Sequence, residues 1–93
     1  NDTVQNSYTL EMMNMSQSEL EYRIKIEGLK KFSADVPATV TLHSNELRAY
    51  PFTIEVDPTD LDASKTNIEI IIYEEATDVE VAREESRFIA PIH

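Results

Sequence analysis

Residues 67–73 constrain the fold of this chain more than any other stretch. They read Asn-Ile-Glu-Ile-Ile-Ile-Tyr and form the most apolar and most β-branched run in the sequence. Side chains alternate between the two faces of an extended chain, so Ile68, Ile70 and Ile72 share one face. Ile71 lies on the opposite face. Because both faces carry apolar side chains, the pattern predicts a strand in the middle of a sheet.

Shorter runs with strict alternation surround this strand. In residues 21–27, Tyr22, Ile24 and Ile26 alternate with charged residues of both signs, which is typical of a strand with one face in water. Similar patterns occur in residues 6–14, 33–36, 39–42, 47–56 and 79–89. About seven strands, separated by turn signals roughly every ten residues, predict an all-β fold, an immunoglobulin/fibronectin-like β-sandwich of antiparallel strands.

The composition limits the classes of partner. The chain has 93 residues, which predicts a single domain spanning residues 1–93. Eight basic and 18 acidic residues give a net charge of −10, so nucleic acid would be repelled and is not an expected partner. No apolar run approaches the ~20 residues that span a bilayer, so direct membrane insertion is not expected. The absence of cysteine excludes disulfides, thiolate zinc sites and iron–sulfur ligation within this sequence.

Two residues predict local constraints on the backbone. Gly28 is the only glycine and directly follows a predicted strand, so its position is expected to need a positive φ angle or a close approach of another segment. Pro51 lies inside the strand predicted for residues 47–56. Because proline cannot donate a ladder hydrogen bond, this strand is expected near a sheet edge or at a bulge.

Candidate catalytic and calcium sites lack residues that their chemistry needs. His43 and Ser44 are neighbours in a predicted turn, where side chains diverge and neither an orienting acid nor an oxyanion donor is marked. The acidic loop at residues 57–62 lacks the glycine and the distal glutamate of an EF-hand. We therefore predict no catalytic residues and no enzyme activity, and we interpret Asp57 or Thr59 as a helix cap.

Three methionines leave a metal hypothesis open. Thioethers are soft ligands that suit Cu(I), and Met13 and Met15 share a face of the predicted strand. Together with His43 or His93 they could hold copper weakly. In the alternative interpretation, which we favour, Met12 fills the core while Met13 and Met15 lie against a neighbouring segment. Apart from this copper hypothesis, no metal site is predicted.

Four short motifs and a single asparagine carry a family resemblance. They occur along the chain in the order Asn6-x-Tyr8-Thr9-Leu10, Asn14, Glu27-Gly28-Leu29, Val56-Asp57-Pro58 and Glu85-Ser86-Arg87-Phe88-Ile89. Together they resemble the C-terminal domain of FixG-related proteins over nearly the whole chain. The sequence departs from that family at Met12, Met13 and Met15, where β-branched residues and a lysine or threonine are more common. Residues 43–46 also replace the usual Pro-Gly turn.

The resemblance implies a role that the residues alone do not. FixG-like proteins are bacterial inner-membrane proteins with ferredoxin-type iron–sulfur motifs, and they are linked to assembly of the cbb-type cytochrome c oxidase and to copper reduction and delivery. Their C-terminal Ig-like domain would lie on the periplasmic side. This chain would then be the non-catalytic C-terminal interaction domain of a longer electron-transfer membrane protein. Iron–sulfur clusters would lie upstream, and the domain would have no cofactor of its own.

The resemblance also implies the partners of the domain. These would be its own membrane and ferredoxin-type portion or oxidase-assembly proteins. No functional residue of the family maps onto this sequence, so no site residue is carried over. Two alternatives stay open, a weak copper-binding module that uses Met13 and Met15, or a generic Ig-like adhesion or interaction domain.

Overall fold

Seven β-strands form the fold in a computed structural model that describes residues 3–90. Their bounds are β1 Val4–Met13, β2 Leu20–Glu27, β3 Ser33–Ala34, β4 Thr39–Leu42, β5 Leu47–Val56, β6 Lys65–Glu74 and β7 Val79–Ile89. One short 3-10 turn, Pro58–Asp60, precedes β6. No helix within the described residues is long and apolar enough to cross a bilayer.

The strands divide into two antiparallel sheets. The three-stranded sheet has the order β1-β5-β3, and the four-stranded sheet has the order β4-β2-β6-β7. Buried residues of both sheets form a common apolar cluster, so the sheets pack face to face as a β-sandwich. This confirms the predicted all-β, immunoglobulin-like architecture. It also confirms the inner position predicted for β6, which lies between β2 and β7.

The core lies between the two sheets and draws on six strands. The buried residues of this cluster are Leu10, Met12, Tyr22, Ile24, Val40, Leu42, Phe52, Ile54, Val56, Ile68, Ile70, Ile72, Phe88 and Ala90. Leu10 and Met12 lie on the inward face that the alternation predicts for β1. The three isoleucines at even positions of β6 also point inward, as predicted from their period of two.

Ile71 gives β6 its second apolar face. It is fully buried but lies outside the inter-sheet cluster, because it points to the outer face of the four-stranded sheet. Its cross-strand neighbours are Lys25 in β2 and Arg83 in β7. Long charged side chains can lay their aliphatic stems over apolar surface while their charged groups reach water. Both faces of β6 are therefore covered, as a central strand requires.

Gly28 turns the chain directly against β6 at the end of β2. Its φ angle is +112°, and an added Cβ would lie 2.3 Å from the carbonyl oxygen of Asn67. That separation is far shorter than a van der Waals contact, and L-residues with a side chain rarely adopt this φ. Both constraints expected from the sequence, a positive φ and a close approach, are confirmed.

Replacing Gly28 with alanine is expected to lower the free energy of unfolding by about 2–3 kcal/mol. The methyl group would strain the backbone and push the end of β2 away from Asn67. Urea denaturation of the parent and the variant, followed by circular dichroism, measures the difference. An alanine variant as stable as the parent would contradict the close approach of these two segments.

Pro51 lies in the middle strand of its sheet, so the expected edge position is correct only locally. The N–H and C=O of Thr53 bond to Asp35 on the β3 side, at 2.6 and 3.3 Å. Backbone direction repeats every second residue, so the nitrogen of Pro51 faces the same side. β3 pairs only with Ile54 and Glu55. No described strand therefore reaches Pro51 on the side where its N–H is missing.

Several strand ends differ from the sequence pattern by one or two residues, and for two of them the structure shows the cause. β1 starts at Val4, before the alternation begins, because Val4 pairs with Val56 of β5. β3 ends at Ala34, two residues earlier than predicted. The reason is that the side chain of Asp35, instead of a backbone carbonyl, accepts the next N–H of β5. Side-chain substitution for ladder bonds leaves no trace in hydrophobic periodicity.

Candidate interaction surface

His43 and Ser44 bond to different partners. Nδ1 of His43 lies 2.8 Å from a carboxylate oxygen of Glu19. The hydroxyl of Ser44 instead donates to the carbonyl oxygen of Ser16 at 2.7 Å. Nucleophilic catalysis needs the serine hydroxyl to face the imidazole. The two side chains instead tie the β4–β5 turn to the β1–β2 loop.

Asp57 has the capping role predicted for it. Its carboxylate accepts the backbone N–H of Thr59 at 3.0 Å, at the start of the 3-10 turn. This hydrogen bond to the ionised form is the main cause that lowers the pKa of Asp57 below its ordinary value. Within residues 3–90, no group of three or more His, Asp or Glu side chains is arranged to hold a metal ion.

Asn14 is a buried polar residue whose importance sequence reasoning missed. It is fully buried, and its Nδ2 donates to the carbonyl oxygens of Ser18 and Leu42 at 2.8 and 3.0 Å. Its Oδ1 accepts the N–H of Ser16 at 2.9 Å. The inward alternation that ends in Met12 continues to this asparagine, and that signal could have found it. Asn14 thereby holds the β1–β2 loop against β4.

An apolar groove of about 470 Å³ opens between the sheets beside this loop. It lies between the end of β1 and the start of β7. Side chains that line it include Met12, Met13, Met15, Leu20, Val81 and Ala82. Tyr22 and Glu74 also line the groove, and burial, followed by the charge of Glu74, raises the pKa of Tyr22. Exposed apolar surface of this kind is typical of contact sites.

The three methionines divide between the core and the groove. Met12 is 5% exposed and fills the core, as the favoured interpretation predicts. Met13 and Met15 are 51% and 81% exposed, so the prediction that they lie against a neighbouring segment is wrong. No described segment covers this end of the groove. His43 is bonded to Glu19, and His93 lies outside the described residues. The copper hypothesis therefore stays a prediction.

β7 forms one edge of the four-stranded sheet, and most of it is exposed. Residues 79–85 are all exposed, and Phe88 is the only buried side chain of the strand. The register shifts between Ile72 and Tyr73, where β7 carries an extra residue. An edge strand presents unpaired N–H and C=O groups on its outer side. This part of β7 borders the apolar groove through Val81 and Ala82.

Side chains of β1 cap the other end of the β7 edge. Asn6 accepts the N–H of Ile89 through Oδ1 and donates to its carbonyl oxygen through Nδ2, both at 2.9 Å. The hydroxyl of Tyr8 donates to the carbonyl oxygen of Arg87 at 2.9 Å. These bonds join the two sheet edges at one end. The groove and the uncapped part of β7 lie at the opposite end.

Ion pairs lie on the outer face beside β7. Arg83 bonds to Glu69 at 2.7 Å and to Glu80 at 2.8 Å. The bond from Arg83 lowers the pKa of Glu80, and both carboxylates raise the pKa of Arg83. Arg23 pairs with two carboxylates of the β6–β7 turn and lies over the ring of Tyr73, 4.8 Å from its centroid. Arg83 and Arg23 are thus already engaged by neighbouring carboxylates.

Comparison with known proteins identifies the fold family. A family sequence model described as "IG-like fold at C-terminal of FixG, putative oxidoreductase" matches residues 1–91. The chain belongs to this FixG C-terminal family. It is also similar to a solved structure described as "Crystal structure of FixG-related protein from Vibrio parahaemolyticus", with a TM-score of 0.90 and 29% identity over 97% of this chain and 82% of that chain. No curated protein matches the sequence. The resemblance drawn from the sequence motifs is confirmed.

The motif residues that carry the FixG resemblance have structural roles. Asn6 and Tyr8 bond to the backbone of β7, and Asn14 and Phe88 are fully buried. Gly28 permits the close approach of β2 to β6. In this member of the FixG C-terminal family, the motifs therefore position the strands. The groove is lined mainly by residues outside the motifs, including the methionines at which the sequence departs from the family.

Proposed function

We propose that this chain is the non-catalytic interaction domain of a FixG-like iron–sulfur electron-transfer protein, on the periplasmic side of the bacterial inner membrane. Family membership and the likeness to a FixG-related structure support the proposal. In the whole protein, the domain would dock on its own membrane and ferredoxin-type portion or on proteins that assemble the cbb-type cytochrome c oxidase. Iron–sulfur clusters would belong to that other portion, since this chain has no cysteine ligands.

The apolar groove is the observation that carries a docking role. Met13, Met15 and Val81 are each at least half exposed and line the same groove. Clustered exposed apolar side chains are typical of surfaces that contact another molecule. Docking requires no redox group within the domain. A docking role therefore agrees with a fold whose motif residues position the strands and carry no chemistry.

Deleting the domain from the full-length protein is expected to lower the amount of assembled cbb-type oxidase severalfold, because a docking contact would be lost. Oxidase activity and haem-stained oxidase subunits in isolated membranes measure assembly. Immunoblotting of the truncated protein controls for its abundance. Normal oxidase levels at a normal abundance of the truncated protein would count against the proposed function.

A substitution pair tests the groove while the domain is retained. Met15→Lys/Val81→Lys places two charges in the groove, and both positions are exposed, so the fold should tolerate them. The single variant Val81→Lys has Ile89→Lys as its matched control, because each adds one charge to β7 and the Ile89 side chain is 55% exposed at the capped end of the strand. The groove variant is expected to reduce assembly, whereas the control is expected to leave it unchanged.

A further inference from the structure

The uncapped part of β7 is a template for strand pairing. Residues 79–85 are exposed in succession, and β7 ends the sheet order, so no described strand pairs with its outer side. At about 3.3 Å per residue, these residues span about 23 Å. Natural proteins usually shield an edge of this length with proline, charge or a covering segment. Along residues 79–85, the shielding features are charged side chains and one bulge.

The backbone groups of Arg83 and Glu85 point away from β6. Ile89 directs its N–H and C=O to a side chain of β1, and the carbonyl of Arg87 does the same. Backbone direction repeats every second residue in an antiparallel strand. Arg83 and Glu85 therefore each present an N–H and a C=O on the outer side, where the described chain supplies no strand.

The apolar groove lies directly beside this edge. Val81 and Ala82 of β7 line one side, and Met12 and Met13 of β1 line the other. A strand added to β7 would direct alternate side chains towards the groove and the remaining ones towards solvent. Apolar side chains at every second position would then enter a space of about 470 Å³. Flexible methionines can adapt their packing to such side chains.

Charge selects the occupant of the edge. Residues 74–85 contain six carboxylates and one basic residue, Arg83. Arg83 already bonds to Glu69 and Glu80, whereas Glu84 and Glu85 have no ion-pair partner within residues 3–90. A second copy of the chain would bring the same carboxylates against this edge, and like charges on paired strands are destabilising. A basic segment is complementary.

We propose that residues 79–85 of β7 accept an extended segment of a partner protein in which apolar and basic residues alternate. Outward backbone groups of β7 hold the segment, and the groove receives its apolar side chains. The carboxylate of Glu85, which lies opposite Glu69 on the outer face of the sheet, attracts its basic side chains. This inference rests on the proposed docking function and specifies the docking surface and the chemistry of the partner.

A nine-residue peptide that alternates valine with lysine, blocked at both ends, tests the inference on this chain. In an NMR titration, the amide signals of Arg83 and Glu85 are expected to shift, and their hydrogen exchange is expected to slow. The matched peptide with glutamate in place of lysine is expected to bind at least about tenfold more weakly. Equal affinities for the two peptides, or shifts confined to other strands, would overturn the assignment.

Glu85→Pro removes one outward N–H while the ladder with β6 stays intact. Its matched control is Glu85→Gln, which loses the same charge and keeps the N–H. The proline variant is expected to bind the lysine peptide about fivefold to tenfold more weakly than the glutamine variant, and equal binding would contradict strand pairing. Should the proline variant not fold, two N-methylated forms of the lysine peptide replace it, each methylated at every second amide. Only the form methylated at the amides that face β7 is then expected to lose binding.

The docking function and the β7 assignment fail in different experiments. If domain deletion lowers oxidase assembly but Glu85→Pro in the full-length protein does not, docking stands and the β7 assignment is overturned. If deletion leaves assembly normal, the docking function falls, whatever peptide the edge binds. Sedimentation adds a third outcome. Dimers of this chain that Glu85→Pro dissociates would assign the edge to a second copy and overturn the basic partner.

Discussion

Replacing Asn14 with aspartate is expected to lower the free energy of unfolding at pH 7 by about 3–5 kcal/mol. Asn14 is fully buried, and its Nδ2 donates to the carbonyl oxygens of Ser18 and Leu42. Aspartate would present an anionic oxygen to both carbonyls, with neither hydrogen bond retained. Its other oxygen could still accept the N–H of Ser16. The loss therefore reports the buried amide donor, and urea denaturation measures it.

The pH dependence of this loss separates a buried charge from a packing defect. Burial would raise the folded-state pKa of the introduced carboxyl above its unfolded value, because burial disfavours the charged form. The destabilisation relative to the parent is then largest above the raised pKa. It diminishes as the pH falls through that pKa towards the unfolded value of about 3.9. A loss that does not respond to pH would contradict this explanation.

Asn67→Asp supplies the matched control for the buried substitution. Asn67 is exposed on β6, so the same chemical change there adds a hydrated charge and is expected to cost under about 1 kcal/mol. Equal losses at the two positions would mean that the added negative charge of the whole chain, and not burial, is responsible. This control is needed because the chain already has a net charge of −10, so a further negative charge adds repulsion wherever it is placed.

The existence and facing of the strands follow from the sequence because burial sets their period. The two apolar faces of β6 predict its central place, and Gly28 predicts a tight approach that the structure shows to be against Asn67. Which strands pair with each other does not follow from the sequence. The local alternation of side chains does not show that β6 lies between β2 and β7. It also does not show that the pairing of β3 with β5 ends before Pro51. Those relations depend on contacts between segments that are distant along the chain.

The candidate surface was harder to predict for the same reason. The sequence draws attention to Met13 and Met15 as soft, apolar residues, but it cannot show that Val81 lies in the same groove. That proximity arises where the edges of two different sheets diverge. The sequence also does not predict that β7 is an edge strand, since its alternation resembles that of a strand paired on both sides. The bonds from Asn6 to Ile89 and from Tyr8 to the carbonyl of Arg87 reveal which backbone groups face outward.

Ile70→Ala is expected to lower the free energy of unfolding by about 2–5 kcal/mol. Ile70 is 3% exposed and pairs with Ile26 of β2 and Glu84 of β7, within the inter-sheet cluster. Truncation removes its apolar contacts and leaves a cavity in a close-packed interior. The chain has no disulfide to offset the loss. Urea denaturation measures the difference from the parent.

Ile89→Ala separates burial from strand propensity. Both isoleucines lie in strands and undergo the same truncation, so the intrinsic strand preference is similar at the two positions. Ile89 is 55% exposed, and Asn6 contacts its backbone groups, so a loss under about 1 kcal/mol is expected. Equal losses would contradict the placement of Ile70 in the core. A much larger loss at Ile70 means that the inter-sheet core carries the stability. The exposed groove and the β7 edge can then serve recognition without weakening the fold.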